Sequence, residues 1–186
     1  MSGRIEAAKA ECREQARRRL AAIDSARLQA EDADITAQVL ALPQYAAARS
    51  VFCYVAAGRE PATAAIIGQA LAAGKRVAVP RIEAAGAMSA RLIGGLDELH
   101  DGAYGIAAPS AAAPVMAAQE LELAIIPCAA CDRDGRRLGK GGGYYDRYLA
   151  ASRAYRVALC RSECLFERLP VAGHDILMHL VVADRL

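Results

Sequence analysis

Residues 137–148 combine glycine, lysine and tyrosine in a pattern suited to binding an anion. The four glycines among them let backbone N–H groups approach an anion without a Cβ in the way, and Lys140 adds a full positive charge. A helix predicted to begin after the last glycine would add its positively polarised N-terminus. The spacing matches neither a Walker A motif nor a dinucleotide-binding glycine motif. The residues alone therefore favour a local anion site or, alternatively, a flexible loop whose glycines serve only turn geometry.

The six cysteines offer a second possible chemistry. Cys128 and Cys131 are separated by two residues, and Cys160 and Cys164 follow downstream, so these four thiolates could hold zinc. The alternative is free thiols, because Cys53 and Cys160 lie in apolar runs typical of buried strands, where cysteine behaves as a small hydrophobic residue. We favour free thiols, since a thiol that faces the core from a strand cannot easily reach a metal.

Hydrophobic periodicity predicts an alternation of helices and strands that must position these residues. Two N-terminal helices are predicted, the second beginning at Asp24 or Ser25 and ending before Pro43. Short apolar runs predict buried strands. The predicted strands are 50–55, 76–80, 88–93, 123–127, 155–160 and 180–183, and the further helices are 62–73 and 144–152. This alternation predicts an α/β fold, a single domain over residues 1–186 with three α/β/α layers and a mostly parallel sheet.

Length and charge limit the kinds of partner. The 186 residues, of which 55% are hydrophobic, can bury the core of one domain. Because the chain has 23 basic and 21 acidic residues, its charge is nearly balanced and provides no general positive field to hold nucleic acid. The apolar stretches fall short of the roughly 20 residues that cross a bilayer. We therefore expect no nucleic-acid or membrane partner, a cytoplasmic location, and a monomer or weak homo-oligomer.

Over nearly its full length, the sequence resembles the 5-formyltetrahydrofolate cyclo-ligase family, also called methenyltetrahydrofolate synthetases. The glycine-rich block with Tyr144-Tyr145-Asp146 is the most specific part of this resemblance. Other matching segments, in the same order and spacing, are the helix with Lys9 and Arg13, then Leu42-Pro43, 60–63, 79–81, Gly105-Ile106, Pro109 and 135–139. The resemblance implies a reaction that requires ATP and Mg²⁺. ATP phosphorylates the formyl oxygen of 5-formyltetrahydrofolate, N10 attacks, and phosphate leaves as 5,10-methenyltetrahydrofolate forms.

The resemblance also implies roles for individual residues. Lys9 and Arg13, which fall on one helix face, match ATP-contacting positions, although a solvated basic helix is the alternative. The expected ATP-binding loop consists of Arg137, Leu138, Gly139, Lys140, Gly141, Gly142, Gly143, Tyr144 and Tyr145, with Lys140 and Arg137 as the catalytic cations. The expected folate contacts are Val55, Glu60, Lys140, Gly141, Gly142, Gly143 and Tyr144. The tyrosines, with Tyr148, could stack on a flat ring or equally belong to the core.

Two positions are implied as metal ligands. Asp146 matches a Mg²⁺ ligand of the family, and a carboxylate suits that hard cation, although a charge in the first turn of a helix is the alternative. His179 stands where the family usually has an aspartate at a second metal position. Neutral imidazole is a poor Mg²⁺ ligand, so His179 indicates either an altered metal site or a surface histidine without a role. Ala108 and Cys131 also depart from the family pattern.

Three functions remain as hypotheses. The first is the ATP- and Mg²⁺-dependent cyclo-ligase acting on a reduced folate. The second, motivated by His179, is a catalytically weak or inactive homologue that binds nucleotide or folate. The third is a zinc-stabilised protein built on the cysteines.

Overall fold

The computed structural model describes residues 2–83, 87–173 and 175–185, and its centre is a seven-stranded sheet. The helices are α1 (Ser2–Ala21), α2 (Ser25–Leu40), α3 (Pro43–Ala47), α4 (Ala64–Ala72) and α5 (Tyr144–Leu149). The strands are β1 (Ser50–Cys53), β2 (Arg76–Ile82), β3 (Met88–Ile93), β4 (Leu99–His100), β5 (Ala108–Pro109), β6 (Val115–Met116), β7 (Leu123–Pro127), β8 (Ala130–Asp132), β9 (Arg137–Leu138), β10 (Tyr155–Cys160), β11 (Leu165–Phe166) and β12 (Leu180–Ala183). Short 3₁₀ helices cover Leu96–Glu98, Ala103–Gly105, Ala118–Glu120 and Ser162–Cys164.

The central sheet is mostly parallel. Its strand order is β12-β10-β7-β1-β2-β3-β6, and the first five of these strands run parallel to one another. β3 and β6 complete one edge in antiparallel pairs. Two small sheets, β11-β8-β9 and β4-β5, lie outside it. The predicted parallel α/β sheet is therefore confirmed.

The strand order reverses between β1 and β7. From β1 the chain passes through α4 to the neighbouring parallel strand β2, which makes a βαβ unit. β7 then pairs with the other side of β1, and β10 and β12 extend the sheet in that direction. In open α/β sheets, such a reversal leaves a crevice at the carboxyl ends of the two diverging strands, where ligands bind.

The core has two halves, one on each face of the sheet. In β1, Val51 packs into one half and Phe52 into the other, which explains its continuous apolar run. The first half is covered by α2, α3 and α4, with Ile35 and Ile66 fully buried. The second is covered by α1, α5 and the small sheet β11-β8-β9.

The structure differs from the sequence expectation in several details. Residues 128–142, which we expected to form a loop, contain β8 and β9, whose two or three residues are too few to show a periodic pattern. Helix α5 ends at Leu149 and not near 152, and β2 continues to Ile82. Within the described ranges, no helix combines the length and apolarity needed to cross a lipid bilayer.

Candidate active site

A cavity of about 550 Å³ lies at the point where the strand order reverses. Tyr54 and Val55, which follow β1, form part of its wall, together with Pro80 from β2 and Pro127 from β7. The opposite wall is the glycine-rich loop with the first residues of α5. The volume falls in the range of small-molecule sites, so the cavity can hold a ligand of substantial size.

The glycine-rich loop has a backbone that other residues could not readily adopt. Gly141 has a φ of 103° and Gly143, the N-cap of α5, a φ of 65°. A Cβ on Gly142 would lie 2.6 Å from the ring of Tyr144. Three of the loop glycines, Gly139, Gly142 and Gly143, line the cavity. Since α5 has only six residues, we assign the positive charge of this wall to side chains and not to the helix terminus.

Lys140 and Glu60 form an ion pair at the cavity. Lys140 Nζ lies 2.7 Å from Glu60 Oε1, and both residues line the cavity. The Lys140 side chain is 61% exposed, whereas that of Glu60 is 12% exposed. The second carboxylate oxygen of Glu60 accepts a hydrogen bond from Ala57 N at 3.0 Å. Glu60 is thus held by the backbone, whereas Lys140 is the exposed partner that an anion could attract away.

Arg137 and Asp146 form a more buried pair in the same wall. Arg137 Nη2 donates to Asp146 Oδ2 at 2.9 Å, and Arg137 Nη1 donates to Pro127 O at 3.2 Å. The Arg137 side chain is 2% exposed, and its Nε has no hydrogen-bond partner among the described residues. The guanidinium also faces the ring of Tyr145, 5.7 Å from its centroid. Arg137 is therefore a fixed cation with hydrogen-bonding capacity still available.

Asp146 lines the cavity, but both of its carboxylate oxygens already accept hydrogen bonds. Oδ2 accepts from Arg137, and Oδ1 accepts from Ile176 N at 3.2 Å. A carboxylate oxygen can accept more than one partner. Asp146 could therefore still offer a carboxylate oxygen to a Mg²⁺ ion, a hard cation that prefers oxygen ligands.

Helix α1 contacts the site from outside the cavity. Arg13 Nε donates to Gly139 O at 2.8 Å, which ties the helix to the glycine-rich loop. Lys9 is 3% exposed, and its Nζ donates to both carboxylate oxygens of Asp175, at 2.9 and 2.6 Å. Neither basic residue belongs to the described lining of the cavity. Their expected contact with ATP remains a prediction.

The structure does not bring His179 to the cavity. The residue directly precedes β12, where its Nδ1 accepts a hydrogen bond from Arg156 N at 2.9 Å and its Nε2 lies 3.2 Å from Arg156 Nη2. Its ring stacks on Tyr155 with centroids 4.9 Å apart. Burial and the neighbouring Arg156 lower the pKa of His179 below its usual value. Nδ1 thus has a hydrogen-bond donor from the backbone and is not left free for a metal, whereas Nε2, which carries the ring proton in this tautomer, cannot accept from Arg156 Nη2.

The tyrosines of α5 divide between core and cavity. Tyr148 packs against Phe52 with ring centroids 5.4 Å apart and belongs to the core. Tyr145 contacts both halves of the core and also lines the cavity. Tyr144 lines the cavity, and its hydroxyl lies 3.2 Å from that of Tyr104.

Tyr104 and Cys128 are among the cavity residues that the sequence analysis did not assign to the ligand site. Tyr104, with a φ of 60° and 78% exposure, comes from a 3₁₀ turn between glycines that gives no periodic signal. Cys128 also lines the cavity, and its Sγ lies within 4.8 Å of those of Cys131 and Cys160. Cys164 is not part of this described group, so the four thiols do not make one closed site.

Comparisons with known proteins agree with this geometry. Residues 5–184 match the model of the 5-formyltetrahydrofolate cyclo-ligase family. The chain is 33% identical over 144 residues to the 5-formyltetrahydrofolate cyclo-ligase of Mycolicibacterium smegmatis, an alignment that covers 74% of each protein.

Two solved structures share the fold. An NMR structure of Aquifex aeolicus 5,10-methenyltetrahydrofolate synthetase has a TM-score of 0.84 at 24% identity, covering 96% of this chain and 90% of that one. A structure of a 5,10-methenyltetrahydrofolate synthetase from Mycoplasma pneumoniae has a TM-score of 0.75 at 17% identity, covering 94% of this chain and 97% of that one. With the family match and the Mycolicibacterium relative, these results show that the chain is a ligase that belongs to the 5-formyltetrahydrofolate cyclo-ligase family.

Proposed function

We propose that this protein uses ATP and Mg²⁺ to convert 5-formyltetrahydrofolate into 5,10-methenyltetrahydrofolate, releasing ADP and phosphate. Its family supports cyclo-ligase activity in general, and the cavity supports this particular reaction. The observation that carries the proposal is that one cavity of about 550 Å³ is lined both by Arg137, Gly139 and Lys140, which are expected to hold phosphate, and by Val55 and Glu60, which are expected to hold folate.

The phosphate side is formed by the glycine-rich loop. Lys140 and Arg137 are cations on the cavity wall, the first exposed and the second buried. Phosphoryl transfer is catalysed mainly by positioning and by fixed positive charge around the moving group. In this proposal, Arg137 orients the nucleotide from its buried position, and Lys140 leaves Glu60 to follow the transferred phosphoryl group.

The folate side is formed by Val55 and Glu60 at the end of β1. A carboxylate can accept hydrogen bonds from the N–H groups of a pterin ring. Glu60 now accepts from Lys140, so departure of Lys140 towards phosphate would leave an oxygen available to the pterin. Ile82 and Ile106 supply apolar wall for a flat ring.

The proposed chemistry has two steps. The formyl oxygen attacks the γ-phosphorus of ATP and ADP leaves, after which N10 attacks the activated carbon and phosphate departs with the original formyl oxygen. Mg²⁺, when bound beside Asp146, would supply charge neutralisation for the phosphates. His179 is not needed in this scheme, because it lies outside the described cavity lining.

The direct test is a turnover assay with purified protein, ATP, Mg²⁺ and 5-formyltetrahydrofolate. We expect absorbance of the methenyl product to rise at a rate proportional to protein, and not to rise when ATP is omitted. A folded protein that forms no product would overturn the proposal. Calorimetric binding of ATP or folate by such a protein would support the inactive binding homologue in its place.

A further inference from the structure

Three cysteine side chains meet beside the cavity although they come from separate segments, and one of them, Cys128, lines the cavity. Cys128 follows β7, Cys131 lies in β8, and Cys160 is the last residue of β10. Leu159 pairs with Pro127 in the parallel ladder, which places the carboxyl ends of β7 and β10 side by side. The chain turns directly from β7 into β8, so all three Sγ atoms lie within 4.8 Å of one another.

This spacing suits a thiophilic metal ion. With Zn–S bonds of about 2.3 Å, sulfur ligands of a tetrahedral zinc site lie about 3.8 Å apart. The three Sγ atoms lie within 4.8 Å of one another, so small side-chain rotations would bring them to that distance. Thiolates select soft or borderline ions such as Zn²⁺ and disfavour Mg²⁺. A thiolate site here would therefore not compete for the ion expected at Asp146.

The surroundings leave one side of the cluster open. Cys131 and Cys160 are 0% and 1% exposed, whereas Cys128 is half-buried and forms part of the cavity wall. Zinc sites with three protein ligands keep the fourth position for water or a ligand. Three thiolates with Zn²⁺ carry a net charge of −1, and the buried guanidinium of Arg137, bonded to Pro127 O beside Cys128, supplies a nearby positive charge.

We propose that Cys128, Cys131 and Cys160 form a three-thiolate Zn²⁺ site whose fourth coordination position faces the cavity. It differs from the four-thiolate site considered from the sequence because Cys164 takes no part. Zn²⁺ at this position would lie in the wall of the proposed ATP and folate site. Its binding would then weaken ligand binding in the cavity, and this second consequence rests on the proposed function.

Metal binding can be measured independently of any turnover. The reduced, chelator-stripped protein is titrated with Zn²⁺ against a chromophoric chelator, and with Co²⁺, whose thiolate charge-transfer absorption reports sulfur ligands. We expect one ion per chain, with proton release as thiols become thiolates. Cys160→Ala and Cys128→Ser should each weaken Zn²⁺ binding by more than about 100-fold, since loss of a direct ligand exceeds the 10–100-fold typical of outer partners.

Matched controls come from cysteines outside the cluster. Cys53→Ala removes an equally buried thiol that packs in the other half of the core, and Cys164→Ala removes the thiol excluded from the site. Both should bind Zn²⁺ like the parent. Circular dichroism checks that each variant is folded, and half-buried Cys128 is the substitution least disruptive to packing.

The outcomes separate the possibilities. Absence of a thiolate–Co²⁺ band in the folded parent, or equal loss of Zn²⁺ binding in Cys164→Ala, would overturn the site. If the site binds Zn²⁺, calorimetry with ATP should show weaker nucleotide binding in the loaded parent and no change in Cys160→Ala. An inactive protein that still gives the Co²⁺ band would refute only the proposed function.

Discussion

Lys140 Nζ lies 2.7 Å from Glu60 Oε1, so the cation of the glycine-rich loop is paired with a carboxylate that follows β1. The resemblance implied Lys140 as a contact of both ATP and folate and Glu60 as a folate contact, without indicating that the two side chains pair. Because the lysine is largely exposed, such a pair contributes at most about 1 kcal/mol and can open readily. The pairing suggests that binding of the two substrates is linked through this contact.

Replacing Lys140 should impair ATP use. We expect Lys140→Met to lower kcat/KM for ATP by about 10- to 100-fold, or about 1.4–2.7 kcal/mol of transition-state stabilisation, because the ammonium group matters most as charge moves on the phosphoryl group. Steady-state kinetics at saturating folate measures this. Lys75→Met is the control, since Lys75 contacts carbonyls at the start of the sheet, away from the described cavity, and should behave like the parent. Equal rates in the two variants would remove Lys140 from the site.

Asp146→Asn should destabilise the protein as well as affect the reaction. The substitution leaves the guanidinium of Arg137 buried without its carboxylate, so we expect a loss of about 2–4 kcal/mol in the free energy of unfolding. Urea denaturation measures it. The double variant Arg137→Met with Asp146→Asn should recover much of the stability, because no buried charge remains unpaired.

The Asp146→Asn variant also distinguishes two roles of Asp146, holding Arg137 and binding Mg²⁺. If it is also a Mg²⁺ ligand, the single variant should need more Mg²⁺ for half-maximal activity than the parent. Unchanged Mg²⁺ dependence in a folded Asp146→Asn protein would restrict Asp146 to holding Arg137.

Arg13 should act by tethering the glycine-rich loop. Its hydrogen bond to Gly139 O joins α1 to the loop, and loss of one such bond costs about 1 kcal/mol. We expect Arg13→Ala to speed amide hydrogen exchange in residues 139–143 without nucleotide, and to raise KM for ATP about five-fold. Arg17→Ala is a suitable control because the described ion pair of Arg17 is with Glu14, on the exposed side of the same helix. Amide hydrogen exchange in residues 139–143 as slow as in the parent would contradict this role of Arg13.

His179 should make the protein less stable in mild acid. Its pKa is lowered by burial and by Arg156, so the unfolded state binds a proton more readily than the folded state. The stabilisation is therefore fully present above the unfolded-state pKa of about 6.5 and is lost as pH falls below it towards the folded pKa. Urea midpoints between about pH 7.5 and 5.5 should decline less in His179→Gln than in the parent. A decline in His179→Gln identical to that of the parent would refute this role.

The layers of the fold were predictable because their strands are long enough to show a pattern. Residues 51–53 of β1 and 157–160 of β10 are continuous apolar runs, since each is covered on both faces. β8 and β9 were not predictable, as their pairing depends on contacts between segments and not on local periodicity.

The site was predictable only in part, for a related reason. The resemblance identified Lys140 and Glu60, but nothing in the sequence shows that they touch. Cys160 was expected to be isolated in its strand, whereas its place at the strand's carboxyl end lets it meet Cys128. Strand neighbours that are distant in sequence create both contacts, so only the three-dimensional structure reveals them.

The most direct measurement of the central claim follows the formyl oxygen. With 5-formyltetrahydrofolate labelled by ¹⁸O in the formyl group, ATP and Mg²⁺ in ordinary water, we expect each phosphate released with the methenyl product to carry one ¹⁸O atom. Mass spectrometry of the phosphate reads this out. Methenyl product accompanied by unlabelled phosphate would contradict phosphoryl transfer to the folate in this cavity.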